Sequence, residues 1–280
     1  MVGTQAVVLV VALLFCGCSR TSQIVVGSKN FTEQVLLGEI IAQHIEKKLG
    51  VEVDRKLNLG GTLLAHEALR SGSIDLYPEY TGTALTAVLK QAPSPDTSAI
   101  KPEYEKRWNL TWMPPLGFNN TFAMVVRKDT NVQTLSEAAQ AGKPWRLGVG
   151  YEFLKRPDGL EGLLRAYPLR IDGSPITMDL GLLYSALQSN KVDMVAANST
   201  DGMLSVLPVM VLGDDKKYFP PYECAIVVRQ EALDARVGLR EALQELSGKL
   251  TDEAMRKWNH AVDGEHRPLK EVAAEALRSL

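Results

Sequence analysis

What most constrains this chain is a repeated alternation of strand-like and helix-like segments. QIVVGS, Gln23 to Ser28, is a short run with the character of a buried strand. In NFTEQVLLGEIIAQHIEKKLG, Val35, Leu36, Ile40, Ile45 and Leu49 keep helical spacing. Thr32 stands where an N-cap is wanted, Glu33 suits the first turn, and Gly50 is a stop. VEVDRKLNL alternates Val51, Val53, Arg55, Leu57 and Leu59, a second strand. GGTLLAHEALRSG reads as a short helix capped by Thr62, and IDLYPEY as a third strand. Strand, helix, strand, helix, strand predicts a parallel sheet with right-handed crossovers.

After a turn-rich loop, KQAPSPDTS, a second series begins at Phe122 with FAMVVRKD. WRLGVG is a strand, GLEGLLRAYPL and DLGLLYSALQSNK are helices, and VDMVAAN is a strand. MLSVLPVMVLGDD is apolar and reads as strand-like; FPPYECAIVVRQ is a strand, and the chain from Glu231 is mostly helical. Two α/β units in series follow, with the tail helices packed on the first. Residues 23–118 plus 223–280 form one lobe and 119–222 the other, joined by crossing strands near Asn119–Phe122 and Pro220–Glu223. A cleft between two such lobes is a natural ligand site.

Composition fits this reading. A chain of 280 residues with 45% hydrophobic and 23% charged residues suits two ordinary globular domains. Net charge is −2, which leaves a nucleic-acid partner without an electrostatic footprint. No Lys/Arg run reads as a polybasic membrane patch.

The N-terminus differs in kind. AVVLVVALLF, Ala6 to Phe15, is apolar but, at about 10 residues, too short to span a bilayer. It fits the apolar segment of an export signal, residues 1–17. Phe15-Cys16-Gly17-Cys18-Ser19 resembles a bacterial lipoprotein processing site, with cleavage before Cys18 and a lipid on its thiol. MVGTQ carries no Lys or Arg and Phe15 stands where such sites more often have Leu, so a plain signal peptide cut nearby is the alternative. The chain is expected outside the cytoplasm, in the periplasm or on the outer cell surface, anchored by that lipid. Cys224, in the strand-like YECAIVV, reads as a small buried hydrophobe.

GSIDLYPEYTGTAL sets Tyr77 and Tyr80 among turn-forming and hydroxyl residues, which does not read as a plain core strand. Pro78 is read as fixing a turn and Gly82 as permitting a tight one. This stretch is one of several that recur in order along the chain: GSKNFTEQ, GSIDLYPEYTGT, GFNNTFAM, FLKRPDG, NSTDG, FPPYE and KLTDEAMRKWNHAVDGEHR. Together they resemble the substrate-binding proteins of ABC importers for glycine betaine, choline, carnitine and related osmoprotectants. The resemblance implies a two-lobed α/β clamshell of the periplasmic-binding-protein type (type II), with two crossover strands. It also implies a small quaternary-ammonium ligand, a membrane permease and its cytoplasmic ATPase as partners. The chain is read as a monomer, without a cofactor or metal.

A trimethylammonium group donates no ordinary hydrogen bond, but the negative faces of aromatic rings attract it. A ligand carboxylate wants charge-assisted donors. By resemblance, Tyr80 and Tyr222 are cage walls, with Phe122 where the family often has Tyr. Thr83 adds a hydroxyl and Asn120 a polar contact. Lys29 is a charged contact opening the first helix, and Arg156 is the carboxylate clamp, its plain alternative being a pair with Asp158 or Glu161. Asn198 stands where many members have Tyr, so a ring is missing. An amide there suits a ligand with an extra polar group, such as carnitine or an imidazole-bearing betaine like ergothioneine. Tyr77 and Tyr151 have no motif-level claim and read as structural.

An enzyme is the rival class. His44, His66, His260 and His266 are scattered, and no HExxH, GxSxG or phosphate loop occurs. A ligand sensor built on the same clamshell is the second rival.

Overall fold

A computed structural model describes residues 23–280. The leader peptide, its cleavage point and Cys18 lie outside the described residues. The first half runs β1 (Ile24–Gly27), α1 (Thr32–Leu49), β2 (Val53–Lys56), α2 (Thr62–Arg70) and β3 (Leu76–Tyr80). α3 (Thr81–Thr83) follows at once and continues as a π-helical stretch, Ala84–Val88. α4 (Ile100–Trp108) and β4 (Leu110–Trp112) complete the first pass.

The chain then crosses to β5 (Phe122–Arg127), α5 (Leu135–Gln140), β6 (Leu147–Val149), α6 (Tyr151–Lys155) and α7 (Leu160–Ala166). β7 (Ile176–Thr177), α8 (Leu183–Gln188), β8 (Met194–Asn198) and β9 (Val209–Val211) follow. It returns through β10 (Cys224–Arg229) to α9 (Gln230–Ala235), α10 (Leu239–Gln244), α11 (Asp252–Asp263) and α12 (Leu269–Ser279).

Two five-stranded sheets result, ordered β2-β1-β3-β10-β4 and β7-β6-β8-β5-β9. In each, the strands linked by helical crossovers run parallel, and the strand arriving from the other half is antiparallel to its neighbours. Where the two crossings meet, Asn119 bridges Glu223, and the Asn120 N–H donates to the Tyr222 carbonyl at 3.1 Å. The protein is therefore a two-lobed α/β clamshell with two crossover segments. α10, α11 and α12 all pack on α1, so the tail closes the core of the first half. Cys224 is fully buried in that core.

Several local expectations are corrected. Thr32 does not cap α1; Phe31 holds that position, and the Thr32 hydroxyl donates instead to Asp263 at 2.6 Å. Gly61 precedes α2 as its N-cap, which makes Thr62 the first helical residue. Pro78 is not in a turn but inside β3. β1 pairs with β3 only through Val26–Leu76, so beyond that point one side of β3 carries no ladder with β1 and a residue without an N–H is tolerated. MLSVLPVMVLGDD is not one strand: a 3₁₀ turn, Gly202–Ser205, precedes the short β9. α3 with its π-helical continuation, α4, β4, α5, α6 and β7 are additions that the sequence patterning did not reveal. Among the described residues no helix is long and apolar enough to cross a membrane.

Candidate functional site

A cavity of about 780 Å³ lies between the two halves, and all eight residues singled out in the sequence line it: Lys29, Tyr80, Thr83, Asn120, Phe122, Arg156, Asn198 and Tyr222. Their positions follow from the strands. Tyr80 ends β3 and faces Cys224 across the ladder; Phe122 opens β5 directly opposite Asn198, the last residue of β8. Strand ends are where open α/β sheets leave room for a ligand.

The rings are held by buried carboxylates. Tyr80 donates its hydroxyl to Glu33 Oε1 at 2.6 Å, while its face stacks on Phe31, with centroids 6.3 Å apart and planes 23° apart. Tyr222 donates its hydroxyl to Asp158. Its ring meets Phe122 nearly edge-on at 5.8 Å. Gly82 explains part of this convergence. A Cβ there would lie 2.6 Å from the Tyr222 ring, so the TGT turn after Tyr80 is glycine for close approach rather than for turn geometry. Tyr77 is fully buried and donates to Glu79, as a structural residue should. Tyr151 is a correction: it is exposed and lines the cavity from α6.

Both basic residues are already partnered. Lys29 Nζ pairs with Glu79 at 2.5 Å and reaches Thr62 Oγ1 at 3.4 Å. It also sits 4.8 Å from the centroid of the Tyr80 ring. Arg156 grips Asp158 with Nε at 2.9 Å and Nη2 at 2.5 Å, and donates from Nη1 to Thr83 Oγ1 at 3.0 Å. Its guanidinium lies 4.8 Å from the Phe122 centroid and 5.7 Å from that of Tyr222. The pairing with Asp158 is real, yet it is buried and faces the cavity instead of the outer surface. Burial opposes ionisation of Asp158, but the Arg156 guanidinium holds its carboxyl below the usual range.

Glu33 is the centre of a network that sequence reading missed. Oε1 accepts from Tyr80 and from Asn120 Nδ2 at 2.7 Å. Oε2 accepts from Thr200 Oγ1 at 2.5 Å and Asn259 Nδ2 at 3.0 Å. Four donors and no acceptor surround it, which is the environment of a carboxylate. Burial nevertheless pushes its pKa up against all four hydrogen bonds. Asp201, on the turn after β8, also lines the cavity, and burial pushes it up to about 6.

The charge pattern is one-sided. Lys29–Glu79 and Arg156–Asp158 cancel as pairs, while Glu33 and Asp201 have no basic partner among the described residues. The amide oxygens of Asn120 and Asn259 are buried without a hydrogen-bond partner. Aromatic faces, lone acceptors and unbalanced carboxylates suit a ligand whose exposed atoms are positive. Among the described residues no group of three or more His, Cys, Asp or Glu is placed to hold a metal ion.

Comparison with known proteins agrees with this geometry. The family model described as the substrate-binding domain of ABC-type glycine betaine transport systems matches residues 22–279. An ergothioneine transport permease/ergothioneine binding protein of Helicobacter pylori is 35% identical over 264 residues, 92% of this chain. The chain spans 47% of that longer protein. A carnitine transport binding protein of Listeria monocytogenes is 32% identical over 272 residues, covering 94% of this chain and 88% of its own length. A crystal structure described as a glycine betaine/carnitine/choline ABC transporter superposes with a TM-score of 0.76 at 31% identity, covering 91% of this chain and 98% of that one.

Proposed function

Because this chain belongs to the family of substrate-binding domains of ABC-type glycine betaine transport systems, we propose that it captures a quaternary-ammonium osmoprotectant in its interlobe cavity and delivers it to an ABC permease and its ATPase. Substrate-binding proteins of such importers work outside the cytoplasm. The two relatives described above are named for transport and binding rather than for catalysis.

One observation carries the reading: Tyr80, Phe122 and Tyr222 converge on a cavity lined by Glu33 and Asp201, neither of which has a basic partner among the described residues. Each ring contact to a methylated cation contributes about 0.5–2 kcal/mol, so several are needed. In the ligand-bound state Tyr80 and Tyr222 are the main walls, Phe122 adds a face, and Asn120 supplies an acceptor. Arg156, with Thr83 beside it, meets a ligand carboxylate from the face not taken by Asp158. Lys29 contributes its field and its hold on Thr62 rather than a free charge. Residues 23–118 plus 223–280 close against 119–222, because only the closed state makes every contact.

A second reading has its own support. Asn198 offers a donor and an acceptor where a ring would offer only a face, and one relative is named for ergothioneine. The cavity then prefers an imidazole-bearing betaine. Export and anchoring through a lipid on Cys18 belong to the same reading; Cys18→Ser is expected to release the protein from membrane fractions.

Calorimetric titration with glycine betaine, choline, carnitine and ergothioneine tests the assignment. Binding of at least one, weakened about 10-fold or more by Tyr80→Ala and by Tyr222→Ala, is the expected result. Unchanged affinity in both variants removes the cage.

A further inference from the structure

The turn Asn198–Gly202 is held by α11. Arg256 of α11 donates to the Ser199 carbonyl at 3.0 Å, and Asn259 Nδ2 donates to the Thr200 carbonyl at 2.9 Å. A Cβ on Gly202 would fall 2.2 Å from the His260 nitrogen, so the turn is pressed against the α11 backbone. Asp201 is thus carried on a segment with little freedom, and its side chain opens onto the cavity.

The two carboxylate oxygens differ. Oδ2 accepts from the Asn198 N–H at 3.0 Å and from the Tyr184 hydroxyl at 3.0 Å. Oδ1 accepts only from Asn198 Nδ2, at a long 3.3 Å. An ionised carboxylate has about four lone-pair sites, so Oδ1 retains capacity for one more donor. No Lys, Arg or His pairs with it among the described residues. The surrounding wall is polar, with Ser185 and Gln188 of α8 beside Tyr184. Asp201 is partly buried, and a partly desolvated carboxylate left without a cation or a full set of donors is costly to keep. A ligand that supplies the missing donor removes part of that cost.

We propose that Asp201, oriented by Tyr184 and Asn198, is a specificity-determining residue that accepts an N–H of the ligand at Oδ1. This rests on the betaine reading above and narrows it. The favoured substrate class is a trimethylammonium compound carrying an N–H heterocycle. Glycine betaine is the disfavoured ligand, because it has neither an N–H nor an O–H to donate. An imidazole ring or its thione supplies such a donor, and the bond formed to a carboxylate is of the stronger, charge-assisted kind.

The test is the affinity ratio between Nα-trimethylhistidine or ergothioneine and glycine betaine, measured by calorimetry on the full mature chain. The wild-type protein is expected to favour the heterocyclic ligands by tenfold or more. Asp201→Asn is expected to reduce that ratio at least tenfold. Tyr184→Phe, which removes one orienting donor and keeps the ring, shifts it in the same direction by a smaller factor and serves if Asp201→Asn does not fold. Equal losses for all ligands in these variants, or no heterocycle preference in the wild type, overturns the role of Asp201 while leaving the betaine reading standing. Failure of the wild type to bind any of these quaternary compounds withdraws both.

Discussion

The Glu152 carboxylate, on α6 of the second half, accepts the backbone N–H of Thr62 at the start of α2 in the first half, at 2.6 Å. Its other oxygen accepts from the Thr62 hydroxyl at 3.1 Å. The N-cap of α2 is Gly61, which has no side chain to cap it, so the opposite half supplies the cap. A negative charge at a helix N-terminus is favoured further by the helix dipole. The contact bridges the two halves across the cleft, so opening them would break it. Glu152→Gln is therefore expected to weaken every ligand by roughly three- to tenfold without changing their order, consistent with about 1 kcal/mol for a lost cap. Gly61→Ala supplies an independent check. Its Cβ would lie 2.6 Å from Glu152 Oε1, at the far end of a flexible side chain, so the carboxylate must move away. The two variants should match in affinity, and small-angle scattering should find both more open without ligand. A change in ligand ranking would count against a pure closure role.

Arg156 and Asp158 must be tested together. Arg156→Ala alone leaves the fully buried Asp158 carboxylate without its cation, and breaking such a pair costs about 3–5 kcal/mol. Its effect on binding is then confounded with unfolding. Arg156→Met with Asp158→Asn removes both charges while roughly keeping volume. The double variant is expected to melt closer to wild type than Arg156→Ala does, and to lose affinity for glycine betaine more than for choline, which has no carboxylate. Equal losses for the two ligands would remove the clamp role.

These pairs also show what the sequence could and could not reveal. Tyr80, Tyr222, Phe122 and Arg156 were legible because each sits in a short motif whose order along the chain is informative. Their partners were written in the same set of motifs, Glu33 in GSKNFTEQ and Asp158 in FLKRPDG, as was Asp201, the partner of Asn198, in NSTDG. Nothing local marks them as buried. Glu33 reads as an ordinary first-turn acid until Tyr80, Asn120, Thr200 and Asn259, from four distant segments, close around it. The same holds for the caps. Thr32 and Thr62 have the right chemistry for N-caps, yet Asp263 and Glu152 engage them from elsewhere in the fold. α4 and β4 were hidden for a different reason: β4 is only Leu110–Trp112, and α4 has few apolar positions to set a helical period.

His66 gives the fold a pH dependence of its own. Its ring is buried edge-on between Tyr104 at 5.4 Å and Trp108 at 4.5 Å, and neither ring nitrogen has a hydrogen-bond partner. Burial, with some help from the charge of Arg70, lowers it from 6.5 to about 4. Between those values the unfolded chain binds more protons than the folded one. The contribution of this residue is therefore full above pH 6.5 and is lost as pH falls toward 4, by at most about 3 kcal/mol. Urea midpoints at pH 7.5 and 5.0 should fall less steeply for His66→Phe than for wild type. Identical slopes would place the acid sensitivity elsewhere.

Ligand binding should carry a proton linkage of opposite origin, centred on Asp201. Burial lifts this acid to about 6, with the neighbouring Glu33 charge adding to the effect. A ligand that donates an N–H to the ionised carboxylate competes with a proton for it. Affinity is then flat above pH 6 and falls as pH drops below, approaching tenfold per unit well under the free-state value. Glu33 is also raised and works in the same direction. Asp263, raised by burial at the cavity edge beside His260 and His266, does so as well. Comparison of wild type with Asp201→Asn isolates the one group, since both share the other acids and histidines. From pH 7.5 to 5.0 the wild type is expected to lose affinity for an imidazole-bearing betaine about tenfold more than the variant. Parallel pH profiles in the two proteins would mean that Asp201 does not meet the ligand.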